Sequence, residues 1–288
     1  RTLALMLGAH AADQMENFEL RDRYLHEIEQ LPQKQQLSRH LLLAESALSR
    51  RDYPTAAQNL EAAAKINSNL SRLVRLQLRY AFDHGDAADV LAKAEKLVKA
   101  GAINDYEAEQ YQNWAYRRLL SEVTDARSLK ACLKHIPESL KSGELCVAIA
   151  EKYERLGLYA DAVKWVKTHY PQNRQPELLE AFVESVRFLS EREQQKAIDL
   201  ADSWLQEQPD NAPLLMYLGQ LAYGRKLWGK AQGYLEASIA LQPSVSAHLV
   251  LARVFDETDQ PQKAQEQRNL VLESVAEEEH PAALPQPN

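Results

Sequence analysis

Three arginines, Arg72, Arg75 and Arg79, recur three and four residues apart, a spacing that sets side chains in one stripe along a helix. A row of guanidinium forks can grip a carboxylate or a phosphate bidentately. Acidic neighbours such as Glu45 or Asp83 offer the competing outcome, a set of internal ion pairs. A second concentration is aromatic: Tyr106, Tyr111, Trp114 and Tyr116. Tyr111 and Trp114 are three apart and share a face expected in the core. That leaves Tyr116, Arg117 and Arg118 as the next residues to look into a groove, where an aromatic beside an arginine suits a planar or peptide ligand; core packing is the competing account of Tyr116. A third pairing, Cys132 and His135, has the i, i+3 spacing that could hold a metal or a haem iron, against a plainer reading as one buried thiol and one exposed imidazole. With Cys146 the chain has only two cysteines, too few for a disulfide framework or a four-ligand zinc site. Both read as small buried hydrophobes.

Catalytic signatures are missing. There is no G-x-x-x-x-G-K-[ST] phosphate loop, no G-x-G-x-x-G, no H-E-x-x-H and no G-x-S-x-G elbow, and C-x-x-C-H haem attachment is absent too. The eight histidines are scattered. The chain is therefore expected not to be an enzyme and to carry no metal or cofactor. A formal charge of -7 over 288 residues argues against nucleic acid as a partner, because phosphate binding needs a basic footprint. No apolar run is long enough to span a membrane, and residues from Arg1 lack the architecture of a signal peptide.

The elements that must position these side chains show in a repeat. Arg51-Asp52-Tyr53-Pro54-Thr55-Ala56 is a turn ending on alanine, and Gly157-Leu158-Tyr159-Ala160-Asp161-Ala162, Lys226-Leu227-Trp228-Gly229-Lys230-Ala231 and Asp259-Gln260-Pro261-Gln262-Lys263-Ala264 are similar. Weaker instances end at Val90 and Ala197. The endings at 56, 90, 162, 197, 231 and 264 lie 33–35 residues apart, except for one gap of 72 that holds two units, the missing one near Ser128. A period of about 34 is that of the tetratricopeptide helical hairpin. Its physical basis is close packing: a small residue early in the second helix faces another on the first, twelve positions back. Ala44 pairs with Ala56, Ala150 with Ala162, Gly219 with Ala231, and Ala252 with Ala264. Pro209 and Pro243 close two units, since proline cannot continue a helix.

The expected fold is all-α, a right-handed tetratricopeptide superhelix of about eight hairpins over residues 1–276. An acidic, Pro-rich tail, 277–288, is expected to be disordered. Residues 1–29 read as a degenerate hairpin turning near Glu16-Asn17. An alternative architecture is two helical bundles split near residues 137–143. First helices of such hairpins line the concave surface that solenoids use for ligands, and the arginine stripe, Tyr116 and Arg117 fall there. Trp165, Trp204 and Trp228 fall on second helices as packing residues.

The C-terminal third resembles a known family. Ala212-Pro213-Leu214-Leu215-Met216-Tyr217-Leu218-Gly219-Gln220, then Trp228, Ala231, Leu235, Ala237 and Pro243, then Leu251-Ala252-Arg253, Asp256, Pro261, Ala264 and Arg268 follow the order seen at the end of HemY-type bacterial inner-membrane proteins. Leu41-Leu42-Leu43-Ala44-Glu45 leading to Asp52, and Val74-Arg75-Leu76-Gln77-Leu78, are similar as well. The resemblance implies a tetratricopeptide domain behind a two-span N-terminal membrane anchor, associated with late protohaem synthesis. It implies a non-catalytic scaffold for protein partners such as haem-pathway enzymes, with a direct haem or porphyrin carrier, or a generic adaptor, as alternatives. It carries over no catalytic residue and no haem ligand.

Overall fold

The structure, a computed structural model, describes residues 2–30 and 32–279. Among these there are sixteen α-helices, one short 3-10 turn and no strand. Two compact units divide the chain, Arg1–Val123 and Thr124–Asn288. The first holds α1 (Thr2–Gln14), α2 (Phe18–Glu29), α3 (Gln33–Ser49), α4 (Tyr53–Ile66), α5 (Ser71–His84), α6 (Ala87–Lys99) and α7 (Asp105–Glu122). The second holds α8 (Ala126–His135), the 3-10 turn Glu138–Leu140, α9 (Gly143–Arg155), α10 (Tyr159–Asn173), α11 (Pro176–Val186), α12 (Glu191–Glu207), α13 (Ala212–Gly224), α14 (Trp228–Leu241), α15 (Val245–Glu257) and α16 (Pro261–Glu279). Each unit is a stack of antiparallel helical hairpins of tetratricopeptide type. The division falls between α7 and α8, not at residues 137–143. α16 runs to Glu279, so residues 277–279 are helical where a disordered tail was expected; residues 280–288 lie outside the described residues.

Six hairpins close through one device. Glu16, Arg51, Gly85, Gly157, Lys226 and Asp259 sit in the left-handed region, with φ between 55° and 75°. The next N–H, on Asn17, Asp52, Asp86, Leu158, Leu227 and Gln260, donates back five residues to a carbonyl 2.8–3.0 Å away. This arrangement satisfies carbonyls that the helix end leaves open and reverses the chain within three residues. The α11–α12 link lacks it. There Ser190 and Glu193 cap α12 reciprocally, a capping box that starts the helix without a left-handed residue before it.

The small residues are where the spacing predicts. Ala44, Ala56, Ala150, Ala162, Ala197, Ala231, Ala252 and Ala264 are all buried, as is Gly219. A Cβ on Gly219 would lie 2.6 Å from Cγ of Leu235, so only glycine lets α14 approach this closely. The side chain that closes on Gly219 is thus Leu235, one turn beyond Ala231. Carried through the chain, the twelve-residue pairing also gives Ser185 with Ala197, Leu78 with Val90, Ala9 with Arg21, and Tyr116 with Ser128.

Candidate functional site

The first-helix face of the first unit carries the arginine stripe. Leu73, Val74, Leu76 and Leu78 bury one side of α5, which turns Arg72, Arg75 and Arg79 outward. Arg72 Nη2 donates to Glu45 of α3 at 2.7 Å, and Arg75 Nη1 to Glu107 of α7 at 3.1 Å. Arg75 also donates to the Ala102 carbonyl. Two of the three guanidiniums therefore link neighbouring hairpins, the outcome offered by Glu45. Arg79 is exposed and makes no ion pair or hydrogen bond among the described residues. The stripe is real as geometry, with Arg72 and Arg75 engaged by neighbouring helices and Arg79 not.

Tyr116 corrects the sequence reading. It is buried, 8% exposed, and does not line a groove. The register explains this: Tyr116 lies twelve residues before Ser128, at the buried position that alanine, glycine, serine or leucine fills elsewhere. Arg117, one residue on, is exposed. Trp114 and Tyr111 pack against the α5–α6 core, with Phe82 of α5 4.4 Å and 5.9 Å from their ring centres. Arg118 pairs with Glu122 at 3.4 Å.

Cys132 and His135 both lie on α8. Burial pushes the Cys132 thiol up, which makes the metal-binding thiolate harder to form. Cys146 is fully buried, and burial raises its thiol to about 11. No cluster of three His, Cys, Asp or Glu side chains that could hold a metal occurs among the described residues, and no helix there is long and apolar enough to cross a membrane. Trp204 packs on Tyr170 and Phe182 in the second unit's core, 4.6 Å and 5.4 Å between ring centres. Trp165 and Trp228 pack beside their own hairpin cores.

The second unit presents features that residue patterns alone did not single out. Carboxylates of α9 and α11 gather on one side. Burial pushes the Glu154 carboxyl up, helped by Glu184, Glu151 and Glu180. The Tyr217 hydroxyl of α13 rises to about 12, through burial first and then Glu180, Glu177 and Glu184. Beside this row lies a cleft of about 410 Å³ between α11, α12, α13 and α15. Arg187, Arg225 and Arg253 edge it, with Gln194 and Gln220. The register could have found part of it: Arg253 follows Ala252 as Arg79 follows Leu78 and Arg117 follows Tyr116, so all three share one position on the first helix. Arg187 and Arg225 come from helix ends and carry no such signal.

No known family profile matches the chain, and no curated sequence does. Solved structures that are similar include MamA, 16% identical over 70% of this chain and all of that one, with a TM-score of 0.39. Human IFIT1, solved as a dimer with m7Gppp-AAAA, is 18% identical over 94% of this chain and 68% of that one, TM-score 0.41. The P58(IPK) TPR domain is 17% identical over 91% and 80%, TM-score 0.31. Likeness this distant carries no functional argument, and the fold assignment rests on the chain's own hairpins.

Proposed function

We propose that this chain is a non-catalytic scaffold that holds protein partners on its first-helix faces, in the setting the HemY-type resemblance implies: late protohaem synthesis at a bacterial inner membrane. The carrying observation is the contrast between a buried register that repeats and exposed first-helix positions that do not. One residue after the paired first-helix position stand Glu45, Arg79 and Arg117 in the first unit and Glu151, Gln220 and Arg253 in the second, with a buried Val186 in that place on α11. Repeated packing with varied exposed chemistry is what an extended recognition surface requires. Partners with acidic segments suit Arg79, and basic segments suit the Glu151–Glu184 side.

Co-purification with the full-length, membrane-anchored form tests this reading. Haem-pathway enzymes should be recovered with it, and Arg79→Ala should lower their recovery. Recovery unchanged by Arg79→Ala, and equally by Arg72→Ala/Arg75→Ala/Arg79→Ala, would remove the stripe from the account. Recovery of no haem-pathway enzyme would leave a scaffold without the haem setting.

A further inference from the structure

We propose that the cleft of the second unit is a binding site for an amphipathic oxyanion, a carboxylate or phosphate joined to an apolar body. Its floor is apolar and buried: Val183, Val186, Leu221 and Val250. Its rim brings together three guanidiniums from three successive first helices or their ends. Arg253 is exposed and makes no ion pair or hydrogen bond among the described residues. Arg225 is held loosely: its Nη1 lies 3.6 Å from Glu191 and 3.5 Å from the Gln194 side-chain oxygen, at or beyond the limit of a hydrogen bond. Its Nε is buried with no acceptor at all. A buried donor left unsatisfied costs free energy that an acceptor would recover, so this N–H marks where an oxygen is wanted. Arg187 is occupied by Glu184, an exposed pair that an incoming anion can replace at small cost. Planar guanidinium forks suit both carboxylate and phosphate oxygens, and a volume of about 410 Å³ is within the range of small-molecule clefts. Arg253 stands one residue after the paired position of its first helix, so within the second unit the cleft borders the first-helix face that solenoids use for ligands.

The test uses the whole chain, isotope-labelled so that arginine Nε–H signals are resolved, and three probes: phenyl phosphate, phenylacetate and inorganic phosphate. Phenyl phosphate or phenylacetate should shift the Arg225 Nε–H signal saturably, and inorganic phosphate should do so at least about tenfold more weakly, for want of a body to fill the floor. Whichever organic probe binds tighter separates phosphate from carboxylate as the natural group. Arg253→Ala removes an unengaged exposed side chain, so the fold should be untouched while affinity falls about tenfold, as loss of one charge-assisted hydrogen bond implies. Glu184→Gln frees Arg187 and should tighten binding. No saturable shift with either organic probe, or unchanged affinity in folded Arg253→Ala, or weaker binding in Glu184→Gln, would overturn the assignment.

Discussion

The two units solve the same stacking problem with different chemistry. In the second unit every hairpin keeps small residues at the paired positions: Ala150 with Ala162, Ser185 with Ala197, Gly219 with Ala231, Ala252 with Ala264. Large apolar groups fill the space beside them, and Tyr170, Phe182 and Trp204 share one core. In the first unit only Ala44 and Ala56 keep the pattern. Leu78 and Val90 fill the paired positions of the next hairpin with larger apolar side chains, both buried, and Arg21 occupies the position of an alanine. Polar links take up the task there. Arg21 is 7% exposed and pairs with Asp13 at 3.0 Å and Asp22 at 2.7 Å. Asp13 also accepts from the Ser46 hydroxyl of α3 at 2.8 Å, which ties the first hairpin to the second. Asn17, Asp52 and Asp86 cap α2, α4 and α6 with their side chains, while Leu158 and Leu227 before α10 and α14 do not. The lesson is that the tetratricopeptide register tolerates a charged residue at a packing position when a counter-charge on the partner helix receives it.

That contrast can be broken most sharply at Arg21. Arg21→Met should cost about 3 kcal/mol, because the largely covered Asp13 loses its cation and keeps only the Ser46 hydroxyl. Arg21→Ala/Asp13→Ala should cost less than that, since it restores a small residue and removes the stranded charge; urea midpoints of both variants give the comparison. In the second unit Ala231→Leu should cost roughly 1–3 kcal/mol by overpacking, read as a lower melting temperature. Equal melting temperatures would contradict the assigned hairpin. Ser185 has a buried hydroxyl with no partner, at a position alanine fills in other repeats. Ser185→Ala should therefore stabilise by about 1 kcal/mol, which differential scanning calorimetry resolves.

The smallest expected effect concerns pH. Burial lowers the His169 pKa, against a partly opposing raise from Glu138; its ring lies 3.9 Å from that of Trp165. The unfolded chain then binds a proton more readily than the folded one. The stabilisation is fully present above the ordinary histidine value of about 6.5 and declines as pH falls below it. His169→Gln should flatten that part of the melting-temperature profile between pH 7.5 and 5.5, and a profile with unchanged slope would assign the decline to other groups.

Much of the fold was legible because packing leaves few options. Small residues twelve apart mark close helix contacts, so four paired positions followed from residue size, while the hairpin count followed from the period near 34 carried through the degenerate units. Turns were legible where glycine stands, at Gly85 and Gly157. At Glu16, Arg51, Lys226 and Asp259 the repeat spacing placed the turn, but no side chain announced the left-handed residue, which is imposed there by the hairpin. Tyr116 misled because its type suggested a ligand platform, while its position, twelve before Ser128, was a core one. The cleft of Arg187, Arg225 and Arg253 was illegible as a set. Stacking of three hairpins assembles it, and only Arg253 carries a register signal.

If the chain is a scaffold of this kind, its first-helix faces are the working surface. A photo-crosslinking amino acid placed in turn at positions 79, 253 and 236, in the protein in its own cells, decides between these faces. Position 236 is exposed on the second helix α14. Defined partner adducts from position 79 or 253, and none from 236, are the predicted result. Equal adducts from all three positions, or adducts from 236 alone, would contradict it.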